Sequence, residues 1–378
     1  MKCVALQIRI HQEIVKKICA LLRKALLYSL LFVSYTNVFP GCQPRDNMKV
    51  GDFLKDFPKQ ERLSPIGSIN LHPFGITLPD GFGKYRDWFI VETSQEDSYV
   101  SLVNPAEGRV IKLISKGRGP GELTFFRSWQ VLGDTLRIYD PNLKNYYFFD
   151  LARSTQEGRP EIIRRIEISK PEGHAGPYHP VQIYHTGGGL VSFGRFETKE
   201  WYSVLDDKGE VINSIQLPDF ENMEDVPDTQ LEQIGSTSFC TIKPDGKALA
   251  AAMLDADAVS FSFIEEDGLK EYKRQVFTEP EMSVVAERLG YIKTASYCFM
   301  DAGCNDRYVC FLYSGKPILG EIPAHECNDL LIYNWIGEPV KRIILQNTVC
   351  KICVEGNTLY GCSTYPEAKI FIYDLSGL

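Results

Sequence analysis

The sequence predicts an all-β fold: a six-bladed β-propeller of four-stranded blades, its ring closed by a strand from near the N-terminus. Three observations carry this. Short runs rich in β-branched and aromatic residues alternate with tight turns from Trp88 onward, and one hairpin pattern recurs at intervals fit for a propeller blade. The last repeat is one strand short, while a strand-like segment stands unassigned ahead of the first. With 378 residues, 44% hydrophobic and 12% aromatic, the chain has ample material for a large core.

The first forty residues stand apart. Lys2, Arg9, Lys16, Lys17, Arg23 and Lys24 make a basic leader, and Ala25 to Val38 form a mostly apolar block too short to span a bilayer comfortably. Residues 1–41 are read as a signal peptide. Phe39-Pro40-Gly41-Cys42 stands where a lipoprotein processing site belongs and resembles a bacterial lipobox in part: Gly41 and Cys42 fit, Phe39 replaces the usual Leu, and Pro40 is atypical. Cys42 is the expected lipidation site, and residues 42–60 the lipid-anchored tether. The tether lacks the acidic run that accompanies surface export in some Gram-negative envelopes. An outer-membrane lipoprotein facing the periplasm is therefore expected, with residues 61–378 as the propeller.

The recurring hairpin is explicit. Tyr99 to Val103 turns through Asn104-Pro105-Ala106-Glu107-Gly108 and returns as Arg109 to Ile114. Ser203 to Asp206 turns at Asp207-Lys208-Gly209 into Glu210 to Ile215. Phe261 to Ile264 turns at Glu265 to Gly268, and Leu331 to Tyr333 turns at Asn334-Trp335-Ile336-Gly337 into Val340 to Leu345. Each turn has Gly or Asn where a positive φ is wanted. With Gly158 in a looser version, the turns recur every 50 to 70 residues or so, a spacing suited to four-stranded blades with long loops. Blades are placed near 88–116, 129–168, 182–216, 237–278, 298–346 and 349–375. Helical periodicity is nearly absent after the leader, the best candidate being Glu279 to Gly290. The final strand, Lys369 to Asp374, matches the third strand of the second blade, Asn145 to Asp150, and nothing follows it. Ser64 to Leu71 is expected to supply the missing fourth strand and remove an exposed sheet edge.

Between the first two blades lies Lys116-Gly117-Arg118-Gly119-Pro120-Gly121-Glu122, whose glycines and proline exclude a helix or a central strand. This loop, the run Leu136-Arg137-Ile138-Tyr139-Asp140, and Leu312-Tyr313-Ser314-Gly315-Lys316 followed by Asn334-Trp335-Ile336-Gly337 resemble the TolB-like six-bladed propeller lipoproteins of Gram-negative envelopes. The resemblance covers nearly the whole mature chain. It implies a propeller fold and an envelope address, and it transfers no catalytic residues.

The residues themselves offer little chemistry. No GxSxG elbow, HExxH helix, Walker loop or EF-hand loop occurs. The formal net charge of -8 argues against a grip on phosphate backbones, so nucleic acid is excluded as a partner class. His72, His174, His179, His185 and His325 are scattered. Asp255 and Asp257, expected on one strand face, are read as solvated rather than as calcium ligands. Cys240, Cys298, Cys304, Cys310, Cys327, Cys350, Cys353 and Cys362 are read first as small buried residues, with one or two disulfides as the alternative. Cys350 and Cys353 are three apart on a strand and face opposite sides of the sheet, which disfavours a redox pair. Neither a cofactor nor a metal is expected.

Arg118, Glu122 and Arg127 flank the glycine-rich loop and are the expected partner-binding residues. The expected function is a monomeric, lipid-anchored binding or scaffold protein rather than an enzyme. Its loop face would hold an envelope protein, peptide or glycan. The alternative is a carboxylate- or metal-dependent hydrolase or lyase at the propeller axis. Carboxylates converging on that axis would be its mark.

Overall fold

The computed structural model describes residues 49–378 apart from 94–96, 120, 169, 171–177, 196–198, 207–208, 221–222, 224–233, 266–267, 279–295 and 319–322. The signal peptide, Cys42, His174 and the candidate helix Glu279 to Gly290 lie outside the described residues.

Two short strands, β1 (Gln60–Leu63) and β2 (Gly67–Asn70), precede the first blade. Blade one is β3 (Gly81–Tyr85), β4 (Trp88–Glu92), β5 (Ser98–Asn104) and β6 (Arg109–Ser115). Blade two is β7 (Ser128–Leu132), β8 (Thr135–Asp140), β9 (Asn145–Asp150) and β10 (Ile162–Glu167). Blade three is β11 (His179–Thr186), β12 (Gly189–Arg195), β13 (Glu200–Leu205) and β14 (Val211–Gln216). Blade four is β15 (Phe239–Ile242), β16 (Ala248–Ala252), β17 (Ala258–Glu265) and β18 (Gly268–Val276). Blade five is β19 (Ser296–Cys304), β20 (Tyr308–Pro317), β21 (Cys327–Asn334) and β22 (Pro339–Val349). Blade six contributes β23 (Lys351–Glu355), β24 (Thr358–Ser363) and β25 (Lys369–Asp374).

The missing strand is β2, as the sequence predicts. It pairs antiparallel with β25, Gly67 opposite Ile372 and Asn70 opposite Lys369, so the outermost strand of the last blade comes from ahead of the first. The recurring turn of the sequence joins the third and fourth strands of a blade. Gly108, Gly158, Gly209, Gly268 and Gly337 all take positive φ there, which only glycine adopts without steric cost.

Strand periodicity places the core between blades rather than within them. In β16, Leu249 and Ala251 face blade three while Ala248, Ala250 and Ala252 face blade five. Six buried clusters result, one at each junction around the ring. The run Tyr146-Tyr147-Phe148-Phe149, expected as core between blades, divides the same way. Tyr147 and Phe149 pack toward blade one, and Tyr146 and Phe148 toward blade three.

Four features depart from the sequence reading. Blade one begins at Gly81, not Trp88, because β3 is an innermost strand built on Gly81 and Gly83, residues that argue against a strand on propensity alone. A short helix α1 (Leu151–Glu157) interrupts blade two. Asp150 caps it by accepting a hydrogen bond from the Arg153 N–H at 2.9 Å, and Gly158 ends it in the left-handed conformation. Strand β1 adds to blade five, parallel to β22.

The fourth departure corrects the reading of Asp257, which is not on a solvated strand face. It lies fully buried in the bend before β17 and accepts hydrogen bonds from the Gly51 N–H at 2.9 Å and the Tyr313 hydroxyl at 2.8 Å. These bonds fix a 3-10 turn at Asp52–Asp56, within the stretch expected as tether. Phe53 stacks on Phe277 with centroids 4.4 Å apart, and Phe57 meets Tyr333 edge-on at 5.3 Å. Burying each phenylalanine contributes about 1.5–3 kcal/mol.

Deleting residues 60–75 removes both added strands and opens the ring. The expected outcome is a fall of roughly 10 °C or more in the unfolding midpoint, or loss of the cooperative transition, measured by circular dichroism. An unchanged midpoint would contradict closure by β2.

Candidate functional site

The glycine-rich loop connects the outermost strand of blade one to the innermost strand of blade two, and its own hydrogen bonds shape it. The Gly117 N–H donates to the Leu123 carbonyl at 2.9 Å, and the Gly119 N–H donates to Glu122 Oε2 at 2.7 Å. A Cβ on Gly117 would lie 1.9 Å from that same carboxylate oxygen, so the glycine is required where the loop folds onto Glu122. Asp140, buried at the end of β8, ties the loop to blade two. Its carboxylate accepts from the Thr124 N–H at 2.7 Å and from the Asn142 and Leu143 N–H groups at 2.9 Å. Of the three expected binding residues, Glu122 thus caps the loop from within, whereas Arg118 and Arg127 are exposed. The Arg127 guanidinium lies over the Phe125 ring at 5.7 Å.

Beyond Arg127 the chain enters β7 and the propeller axis. Strands β3, β7, β11, β15, β19 and β23, one from each blade, surround a cavity of about 750 Å³. Phe125, Phe126 and Arg127 line it, as do Asp80, Glu92, Trp129, Asp301 and Lys351. The structure therefore brings Arg127 to the cavity.

Glu92 and Trp129 owe their places to the two glycines of β3. A Cβ on Gly81 would lie 2.1 Å from Glu92 Oε2, and one on Gly83 would lie 2.4 Å from the Trp129 ring. The Trp129 indole N–H donates to Glu92 Oε2 at 3.1 Å, which fixes both side chains against the wall. Opposite charge comes from blade six. Lys351 lies over the Phe239 ring at 4.6 Å and donates to the Met300 carbonyl at 3.4 Å. Asp301 accepts the Ile352 N–H at 2.7 Å.

Burial pushes the Glu92 carboxyl from its ordinary 4.5 up to about 7, against the opposing pull of Lys351 and the Trp129 hydrogen bond. Burial likewise raises Asp301, again opposed by Lys351. The arrangement has both donors and acceptors, an aromatic wall, and one carboxyl that exchanges its proton near neutrality. Such a site suits recognition of a polar ligand or acid–base chemistry.

The other singled-out residues lie elsewhere or do something else. His72, His179 and His325 are exposed, and His185 is half-buried on β11. Among the described residues no three His, Cys, Asp or Glu side chains are grouped to hold a metal ion. All eight described cysteines are free thiols, and three of them, Cys240, Cys304 and Cys353, line the cavity. Burial pushes the Cys304 thiol up to about 11 and the Cys353 thiol up to about 12, which leaves them protonated and unreactive at neutral pH.

Glu92, Trp129, Asp301 and Lys351 were not singled out from the sequence. Each sits inside or beside an unremarkable strand, and only the closed ring brings them together. One local signal exists: Gly81-Phe82-Gly83 beside a β-branched strand marks close approach of other groups to the backbone.

Glu92 sets a pH dependence. Between pH 4.5 and about 7 the folded chain holds a proton that the unfolded chain has released, so Glu92 makes stability fall as pH rises through that window. The effect is on the order of 3 kcal/mol. Glu92→Gln is expected to flatten that part of the decline in denaturant titrations from pH 4 to 8. A slope identical to the unmodified protein's would show that Glu92 is not the titrating group.

Comparison with known proteins places this geometry. No curated protein matches the chain. Among solved structures, a member of the DUF4221 family from Bacteroides vulgatus is 13% identical, with 79% of this chain and 92% of that chain covered and a TM-score of 0.49. Hydrazine synthase of Kuenenia stuttgartiensis is 14% identical, with 79% and 84% covered and a TM-score of 0.43. The calcium-binding protein regucalcin from Agrobacterium tumefaciens is 12% identical, with 83% and 96% covered and a TM-score of 0.46. None transfers a ligand or an activity. The family model described as TolB-like 6-blade propeller-like matches residues 88–357, which spans most of the ring. With six four-stranded blades around one axis and that match, the chain belongs to the TolB-like six-bladed propeller family.

Proposed function

We propose that this chain is a lipid-anchored envelope binding protein whose propeller holds a polar partner group, from a protein, peptide or glycan, at the axial cavity and its rim. The observation that supports it is the convergence of all six innermost strands on one cavity of about 750 Å³ with Arg127 at its edge. The wall is rigid because each lining strand is paired within its blade, so a ligand meets groups already placed. Arg127 and Lys351 supply positive charge, Glu92 and Asp301 accept hydrogen bonds, and Trp129 and Phe239 offer apolar faces. The basic leader, apolar block and Gly41-Cys42 support acylation at Cys42 and a periplasm-facing outer-membrane address.

A second reading, a carboxylate-dependent hydrolase or lyase at the axis, is favoured by Glu92 alone. A carboxyl titrating at about 7 can both give and take a proton at neutral pH.

Trp129 makes the cavity measurable. Envelope-derived glycan fragments and short peptides titrated against the purified propeller are expected to change its tryptophan emission. Trp129→Phe should lose that signal, and Arg127→Glu should weaken binding by about tenfold, as for one charge-assisted contact. Saturable binding that both variants leave unchanged would place the partner elsewhere. Turnover that vanishes in Glu92→Gln while binding persists would favour the second reading.

The anchor is tested separately. Cys42→Ser is expected to move the protein from the membrane fraction to the soluble envelope fraction. Complete retention in the membrane would assign attachment to another feature.

A further inference from the structure

Away from the axis, the face of blade two that meets blade three carries an unmatched group of hydrogen-bond donors. Strand register sets Gln130, Arg137, Phe148 and Arg164 in one row across β7, β8, β9 and β10. Tyr139 and Tyr146 form the next pair along the same face. Both guanidiniums lie over the Phe148 ring, Arg164 at 4.2 Å and Arg137 at 5.6 Å. Across the junction, Gln130 bonds the backbone of His185, accepting its N–H at 2.9 Å and donating to its carbonyl at 3.0 Å.

The chemistry of this face is incomplete. Arg137 Nε and Nη1, Tyr139 Oη and Tyr146 Oη are buried with no hydrogen-bond partner. They are four of the seven such atoms among the described residues, and all four can donate. Among the described residues, the charged and titratable groups that act on Arg137 are Tyr146 and Arg164, neither a carboxylate. Burial and the nearby Arg137 and Arg164 together hold the His185 imidazole below its ordinary value, so positive charge gathers here. Arg137, its buried N–H groups unmet and a second guanidinium beside it, carries a cost of desolvation and repulsion that a bound acceptor would remove.

We propose that the outer part of this junction between blades two and three binds a small oxyanion, a phosphate or carboxylate group, between Arg137 and Arg164. Arg164 is exposed and Arg137 half-buried, so the group enters from solvent past Arg164 and reaches the inner guanidinium. Guanidinium donors match two oxygens of such a group at once, and the neighbouring tyrosine hydroxyl of Tyr146 adds a third donor. The site lies outward of the axial cavity, whose lining includes Gln130 of the same row.

Calorimetric titration and thermal unfolding of the purified propeller test this, with inorganic phosphate and acetate as probes against chloride at matched ionic strength. Phosphate or acetate is expected to bind saturably and to raise the unfolding midpoint by about 5 °C at a hundredfold excess over Kd. Arg137→Gln and Arg164→Gln should each weaken binding at least tenfold. Arg165→Gln, on the same strand but opposite Tyr147 on the other face, should leave it unchanged. Because Arg137 is half-buried, its variant is also unfolded without either probe. A midpoint at or above that of the unmodified protein, with binding lost, supports the proposal. No saturable binding of either probe, or binding unaffected by both arginine variants, overturns it.

Discussion

The whole structure depends on one pairing, that of β2 with β25. Four backbone positions, Gly67 to Asn70, lie against Lys369 to Ile372 and join the two ends of the folded chain. Without it, blade six is a three-stranded sheet with a bare edge, and the junction between blades six and one is left to side-chain contacts such as Lys84 with Glu355 and Phe89 with Tyr360. That junction buries Leu71, Ile76, Phe82, Phe89 and Ile370 among others. Because each blade contributes one face to each of two junctions, an opening at one place weakens its neighbours. Closure is therefore a property of the ring and not of the last blade.

Closure also creates the cavity. Innermost strands approach an axis where six backbones must fit side by side, so bulk on the inside is restricted and glycine becomes useful. Gly81 and Gly83 illustrate this: their missing side chains are the space that Glu92 and Trp129 occupy. The carboxyl so placed is costly to ionise, and the Trp129 N–H and Lys351 offset only part of that cost. A chain selected for stability alone would have no use for an acid held near its midpoint at neutral pH.

How much of this was legible in the sequence follows from which signals are local. The outer hairpins were legible because a tight turn needs positive φ, and Gly108, Gly209, Gly268 and Gly337 announce it beside β-branched flanks. The closing strand was legible by subtraction, since the last repeat lacked a partner. Strand β3 was not, because its two glycines lower strand propensity for a reason that exists only in the assembled ring. Asp257 was misread for a similar cause: its partners, Gly51 and Tyr313, are 206 and 56 residues away. Of the expected binding residues, Arg118 and Arg127 stand exposed as loop charges do, while the role of Glu122 inside its own loop required the backbone path of Gly117 and Gly119.

Buried carboxylates do comparable work at several points of the ring. Asp140 gathers Thr124 and the turn after β8, Asp257 gathers Gly51 and Tyr313, and Glu326 accepts from Ser363, Thr364 and Tyr365. Each carboxylate accepts backbone N–H groups from a loop that has no ladder to join, so loops are pinned to blades at fixed points. This bears on recognition. A loop held by a buried carboxylate loses little further freedom when a partner binds, and the side chains it presents need not be ordered at that moment. Arg127 stands three residues beyond Thr124, which Asp140 holds by both its N–H and its hydroxyl. The rigid elements of the fold therefore extend past the strands to the rim of the cavity, where a partner would first make contact.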